Sequence, residues 1–534
     1  IVSEGTSGIA NVTLQGATLV YNNATNAGGI YSISTTLRFY NSIIANNTAT
    51  NGDGNVNGTI ATSNYSLYST NVNLTGAVTA NNILNTNPRL GLLGNYGGPT
   101  QTIRLLPSSP AITGGFNVIG TTDQRGVAYV SYGMGAFAYV PETPSTTVST
   151  ASDILDESDN LISLREAIIY ASTIGGSNQT ITFNSTLTAS GNVTIVLNSN
   201  TANGYGPLLV NLPATNLTIQ GPASGNSITV SGNGATGIFS INSNTTITNL
   251  TLTQGDGSGL VASGAIYSNN LLRLDNITIN NSTAADGAGL YQNGGFANLN
   301  SSNIGNSVYL SGGANLTASG GQWTGSLTGN NANVINISNL QSNLNIGATV
   351  ARILTAGVNQ TFGCISVTGP VDTTVGSGGV TLTGRNIQVT GNILTAAGDI
   401  TLYGNGGGVY RSGSFVGVNI NGPNVNVTST GGNITLDGRG GSGGTIGNEG
   451  IKMDFALIQT GGNGKINVTG ISGAGFDDGK GIHVNSTTVQ AANGGVTMNG
   501  TGCTTYLNAT GVLISVSNIS VSDRGNLTLN GNIP

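Results

Sequence analysis

Acid–base chemistry has one natural place in this chain, the run Asp477-Asp478-Gly479-Lys480-Gly481-Ile482-His483, which holds paired carboxylates, a lysine and the sole histidine. A carboxylate pair can divide into proton donor and proton acceptor, as glycoside cleavage requires, and an imidazole or amine can assist. The surrounding repeat supplies a blander reading. His483 takes the third place of a strand motif whose other copies put Asn419, Lys452 and Leu513 there. That place alternates with inward residues of the Val418 and Ile420 type, so it faces solvent. Asp477 and Asp478 fall in the variable turn before the motif. The expectation is a surface histidine beside a solvated turn, and no catalytic residue is assigned.

Other candidate chemistries are weaker. Asp-rich turns can hold Ca²⁺, but Asp256, Asp286 and Asp437 stand isolated among glycines, and the repeated Asp-containing nonapeptides of calcium-binding β-rolls are missing. No cofactor or metal residue is expected, an incidental calcium ion aside. Gly404-Asn405-Gly406-Gly407-Gly408 reads as a coil corner, because no phosphate-loop lysine follows it. Cys364 and Cys503 lie far apart in the sequence, which is no metal motif. Two reduced, buried cysteines are favoured, with a disulfide open if the fold brings them together.

The elements that must carry these residues are repeats. A motif Gly-x-[Ile/Val/Leu]-x-[Leu/Val/Met] recurs around Ile400, Ile434, Ile466, Val496 and Leu527. A second, Gly-[Val/Ile]-x-[Ile/Met/Val], begins at Gly417, Gly450, Gly481 and Gly511. The two series interleave with a nearly constant offset, and each defines a coil of about 30 residues. Strands this short cannot bury an apolar face alone. Stacked on the same strand of the next coil, roughly 4.8 Å away, they form a long parallel sheet with Val, Ile and Leu inside and Thr and Asn outside. Glycine and asparagine are expected at corners that need positive φ. Mid-chain, Ala265-Ile266-Tyr267 returns as Gly289-Leu290-Tyr291, and Gly29-Ile30-Tyr31 is a similar triplet. That return defines a shorter coil of about 24 residues. Coils of about 24 to 30 residues imply about 20 coils and a rod of order 100 Å. The fold class expected is all-β, a right-handed parallel β-helix (solenoid) in two consecutive segments.

Composition agrees. Charged residues are only 6% of the 534, glycine supplies 85, and hydrophobic residues reach 37% in short alternating runs such as Asn433-Ile434-Thr435-Leu436, which disordered chains lack. The net charge of −6, with no basic patch, leaves no electrostatic footprint for nucleic acid. No apolar run reaches the roughly 18 residues that a membrane-spanning helix needs. The opening Ile1-Val2-Ser3-Glu4 lies in mid-pattern, so residue 1 is expected to be a processed start. Asn-x-Ser/Thr sequons, for example at Asn11, Asn178, Asn216, Asn276 and Asn433, read structurally as outward asparagine ladders. Coils of unequal length argue against the strict Thr-x-Thr column that ice binding requires.

Two stretches interrupt the pattern. Residues 139–150 read as a linker, and 153–171 hold five of the 20 acidic residues and the only convincing helix, around Leu164-Arg165-Glu166-Ala167-Ile168-Ile169-Tyr170-Ala171. A short capping helix is expected near 161–171, covering strand edges at one end of a β-helix. The organisation expected is 1–140 as the end of one β-helical unit, 141–185 as linker and cap, 186–340 with the shorter coils, and 341–534 with the longer ones.

These residues also carry resemblances. Ser163-Leu164-Arg165-Glu166-Ala167-Ile168, followed by Ile181-Thr182-Phe183, resembles the CSLREA motif region of large bacterial exported proteins, which sits at the start of a β-helix. That family's cysteine position is Ile162 here, so any disulfide it implies is absent. Leu92-Leu93-Gly94-Asn95-Tyr96-Gly97-Gly98-Pro99-Thr100, then Leu106-Pro107-Ser108-Ser109-Pro110-Ala111-Ile112, Asp123-Gln124-Arg125-Gly126 and Gly135-Ala136-Phe137, is similar to the choice-of-anchor Q domain that closes β-helical regions of bacterial surface proteins. The remainder is similar in style to haemagglutinin-like β-strand-repeat exoproteins and adhesins. A closing module before an opening one is the order of a window cut from a tandem array. Together these features imply a secreted, extracellular, cell-surface protein that is structural or adhesive and not an enzyme: a subunit or segment of a filament, a sheath or a giant adhesin. Its expected partners are copies of itself, end to end or in an array, and surface glycans. The alternative is a β-helix that binds or cleaves polysaccharide.

Overall fold

Strict alternation turns this sequence into sheet. In Ile434–Arg439 every second residue is buried, and Ile400, Ile434, Ile466 and Val496 stack in register with no exposed surface. The computed structural model describes all residues except 5–9, 71, 76, 95, 97, 107–108, 117–121, 130–131, 157–158, 202–204, 213–215, 259–262, 359–362, 407–410, 444–446, 474–478, 504–508 and 534. Among them the strands are parallel from coil to coil, apart from one antiparallel pair, Leu90–Gly94 with Thr102–Leu105, and one antiparallel bridge, Thr122 to Ala128. The protein is a parallel β-helix, as the periodicity demands.

Two compact units divide the chain. The first comprises Ile1–Pro144 and Ile154–Glu166, the second Ser145–Asp153 and Ala167–Pro534. In the first, Leu14, Phe39, Ser63 and Thr79 stack level on level, and Ile30, Leu37, Phe39, Ile44 and Tyr68 pack into a core. Later in this unit the backbone gathers around one buried carboxylate, Asp123. Asp123 Oδ1 accepts the N–H groups of Arg125 (2.8 Å) and Val127 (3.0 Å), and its Oδ2 accepts Arg125 Nε and Ala138 N–H, both at 2.8 Å. The Arg125 guanidinium donates on to the Ala138 carbonyl and lies 3.5 Å from the Phe137 ring centre.

In the second unit, residues 145–153 are not a linker. Thr147–Val148 pairs with Thr182 and Phe183, and Asp153 accepts the Asn198 N–H at 2.8 Å. Val148 has an inward, fully buried side chain, so the stretch after Pro144 is the first strand of a coil. The helix forms at Leu164–Ile174, and the division between units falls inside it. Leu164, Ala167, Ile168 and Ala171 form its buried stripe. Ser163 and Glu166 make a capping box: Ser163 Oγ accepts the Glu166 N–H at 3.1 Å, and Glu166 Oε2 accepts the Ser163 N–H at 2.9 Å. The carboxylate also takes the Asp156 N–H through its other oxygen. Replacing Ser163 by alanine is expected to cost about 1 kcal/mol of local stability, seen as faster amide exchange over 164–174.

Coil length varies more widely than the sequence periods suggest. Counted along one face, the step is 31 from Leu208 to Phe239, 27 to Ile266 and 24 to Leu290. It then falls to 18 at Val308 and 19 at both Leu327 and Ile346, and climbs through 21 at Val367 to 31 at Ile420. A coil of the length read from the sequence thus occurs once on this face within 186–340, while steps of 30 to 33 hold from Val389 to Ile514. A second face stacks from Ile181 through Ile219, Ile247, Leu274, Leu299, Ala318, Ile337, Ala356, Leu382, Leu402, Leu436, Val468 and Met498 to Leu529. At about 4.8 Å per level this unit is roughly 60 Å long.

The third face changes sides. Up to Ile304 it follows the second face, in Val193–Val196, Ile228–Ser231, Thr251–Thr253, Thr278–Asn280 and Asn303–Ile304. From Val371 onward it lies between the first and second faces, in Val371–Asp372, Ile393–Thr395 and the later halves of Val418–Ser429 and Ile451–Thr460. The short coils between these regions carry no separate third strand: Ser326–Leu340 and Leu344–Val358 each run unbroken from the first face to the second, and Thr349 in the middle of the latter pairs with Asp372 where the third face resumes.

Corners split between asparagine and glycine for different reasons. Asn249 and Asn276 both take φ +54° at successive corners and join side chains at 2.8 Å. The repeating motif glycines, by contrast, do not adopt positive φ. A Cβ on Gly417, Gly450 or Gly481 would lie 2.6 Å from the carbonyl oxygen of the equivalent glycine one coil on. Close backbone approach, not left-handed geometry, excludes side chains there. One corner column is strained: Phe455, Ser486 and Val516 hold φ of +55°, +47° and +47°. A β-branched residue is poorly suited to that conformation, and Val516 is 90% exposed. Val516→Asn is expected to stabilise the local coil by about 1 kcal/mol, measured as slower amide exchange over Thr510–Ser515.

Candidate functional site

The first-face strands set one outward residue per level in a column. From Ser326 it runs through Asn345, Ser366, Gln388, Asn419, Lys452 and His483 to Leu513. His483 therefore occupies the place its motif assigned, stacked on Lys452. It is less open than a surface site: only 18% of its side chain is exposed, because Glu449 from the preceding connection lies over it, with Nδ1 to Oε1 3.8 Å. That separation is too long for a hydrogen bond. Lys452 Nζ sits 3.0 Å from Asp454 Oδ2. Glu449 and Asp454 are buried, and Glu449 Oε2, Asp454 Oδ1 and His483 Nδ1 make no hydrogen bond among the described residues. Asp477 and Asp478 lie outside the described residues.

Sequence reasoning missed Glu449 and Asp454. Both sit one coil before His483, so only the coil-to-coil register, Lys452 to His483, could have brought them to it. The group contains an imidazole, two carboxylates and the amines of Lys452 and Lys480, yet the imidazole nitrogen facing Glu449 lacks the hydrogen bond of an oriented acid–base pair. Burial, with Lys480 next in weight, holds the His483 pKa below the usual 6.5 against the opposing pull of Glu449 and Asp454. A depressed histidine binds fewer protons folded than unfolded. Its contribution to stability is therefore present above pH 6.5 and lost as pH falls through 6.5 toward the folded value. Because His483 is the only histidine, its imidazole NMR signals titrate alone. A midpoint below 6.5 is expected, moving further down in Glu449→Gln.

The remaining candidates separate in space. Cys364 is half-buried and Cys503 buried, and neither is in a disulfide. Among the described residues no three His, Cys, Asp or Glu side chains cluster as metal ligands, and no helix is long and apolar enough to cross a membrane. Sequon asparagines form ladders: Asn216 donates to Asn178 at 2.9 Å and accepts from Asn244 at 3.1 Å. Tyr267, Tyr291 and Tyr309 stack with ring centres 5.6 and 4.9 Å apart.

A cleft of about 440 Å³ opens where the third face gives out. Trp323 bridges Ile304 as the last residue of that face, and the next coil replaces the strand by the turn Gln341, Ser342 and Asn343. The coils on either side have the same length, and the cleft marks the level at which the third-face strand is replaced by a turn. Trp323, Thr324, Gln341, Asn343, Asn345 and Ser366 are among the residues that line it. Comparison with protein-family models, with curated proteins and with solved structures finds no match to this chain.

Proposed function

We propose that this chain is a non-enzymatic structural or adhesive component of an extracellular cell surface, a subunit or segment of a filament, sheath or giant adhesin that associates with copies of itself. The single observation that carries the reading is the continuous stack of levels from Ile181 to Leu529, dressed outside with neutral amide and hydroxyl ladders. Such a solenoid gains its stability from neighbouring coils and offers a long, regular surface. The low charge, and the resemblance to CSLREA-like and choice-of-anchor Q-like regions of exported bacterial proteins, favour the same reading. Electron microscopy of the native material tests it, with antibody against this chain. Labelled filaments, sheaths or arrays on the cell exterior are expected, and antigen confined to the cell interior would refute the proposal.

The second reading, a β-helix that binds or cleaves polysaccharide, is favoured by the buried Glu449 and Asp454 beside the half-buried His483 and by the uncharged cleft. Cleavage of a polysaccharide that is abolished in both His483→Ala and Glu449→Gln would replace the first reading by this one.

A further inference from the structure

We infer that the cleft at Trp323, together with the outward column that leaves it, is a binding site for an extended neutral oligosaccharide. The argument begins with charge. Between residues 287 and 371, Arg352 is the only Asp, Glu, Lys, Arg or His in the sequence. Among the described residues the cleft is lined by amides and hydroxyls beside Trp323, and none of these lining residues is ionisable. A charged ligand would surrender its hydration to a site that offers no counter-charge, whereas a polyhydroxylated neutral one exchanges hydrogen bonds with groups of its own kind. The volume suits a small ligand or the end of a longer one.

Trp323 supplies the second observation. It is 2% exposed, and its Nε1–H is buried with no hydrogen-bond acceptor among the described residues. Leaving such a donor unpaired is costly, and Trp323 forms part of the cleft wall.

The direction of the ligand follows from the column. Asn345 and Ser366 belong both to the cleft and to the outward series that continues through Gln388 and Asn419. Asn419 Nδ2 donates to Gln388 Oε1 at 2.9 Å, which joins two successive amides of this column. One polar side chain recurs per coil, about every 4.8 Å. That step is near the length of one sugar in an extended chain, and a peptide strand advancing about 3.3 Å per residue falls out of step with it. The track ends in charge at Lys452.

The inference deepens the polysaccharide-binding reading and does not depend on self-assembly, so the microscopy and the test below succeed or fail separately. Trp323 is the only tryptophan, so its emission reports this cleft alone. The full chain is titrated with cellohexaose, xylohexaose and mannohexaose, with cellobiose as short control and hexagalacturonate as charged control. At least one neutral hexamer is expected to change Trp323 emission saturably, with little dependence on salt, and to bind at least tenfold more tightly than cellobiose or hexagalacturonate. Asn345→Ala, at an exposed position that leaves the inward stack intact, is expected to weaken that binding about tenfold, with an unchanged circular dichroism spectrum confirming the fold. No saturable response to any neutral hexamer at millimolar concentration overturns the inference. So does an equal or stronger response to hexagalacturonate, or unaltered binding by a folded Asn345→Ala.

Discussion

Gly470→Val is expected to undo the coil it sits in, at a cost of at least about 3 kcal/mol. Gly404, Gly438, Gly470 and Gly500 stand at or next to the last residue of successive second-face strands, and Gly417, Gly450, Gly481 and Gly511 stand within one residue of the start of the strands that follow. The two columns meet at the base of each connection. A Cβ on Gly470 would lie 2.2 Å from the Gly481 carbonyl oxygen, and one on Gly500 would lie 1.9 Å from that of Gly511. The obstructing atoms are backbone, held in ladders on both sides, and cannot swing away as a side chain would. Gly313 is the control. It needs φ +77° but has open space around its Cβ direction, so Gly313→Ala should cost only about 1 kcal/mol. Amide exchange over Ile466–Ile471 and Lys480–Asn485 for Gly470→Val, and over Val308–Ser311 and Asn315–Ser319 for Gly313→Ala, separates the two cases. Comparable, small effects from both substitutions would remove the steric account.

The second large effect is expected at Asp123. Its carboxylate is wholly buried and satisfies three backbone N–H groups as well as Arg125, itself 7% exposed. Asp123→Ala strands the guanidinium beside Phe137 and frees those donors at once. Removal of one partner from a buried pair costs about 3–5 kcal/mol. Exchange over the first unit, 30–68 and 102–139, should accelerate, while strands 434–501 remain unaffected because each solenoid level is stabilised by its neighbours. Asp123→Asn keeps the shape but loses charge and one acceptor pattern, and should fall between alanine and the native protein.

The fold was legible from the C-terminal third, where both strand motifs recur with nearly constant offset. Register predicted there from Ile400, Ile434, Ile466 and Val496 is the register found. The narrowing was not, because a period search keyed to the Tyr267 and Tyr291 triplets stops before the next copy, Val308-Tyr309-Leu310, which returns after a shorter interval. That tyrosine was the available signal. The reason for the motif glycines was also hidden. A sequence records that a side chain is missing, while its cause, left-handed backbone or a neighbouring carbonyl, appears only in three dimensions. The same holds for the sites. His483 could be placed on its strand from the repeat, but Glu449 reaches it across a coil. Nothing local to Trp323 or Asn345 marks a cleft whose existence depends on the third face ending between them.

The migration of the third face also has a mechanical consequence for the second unit. Before Ile304 and after Val371 the wall has three sides, and between them it is carried by two. Resistance to bending rises steeply with the width of a cross-section, so a sideways load should flex this unit first at the narrow coils around Ser326–Leu340 and Leu344–Val358. A molecule that must project from a surface yet yield to shear would then have its compliance confined to a few coils, leaving the stacks on either side undeformed.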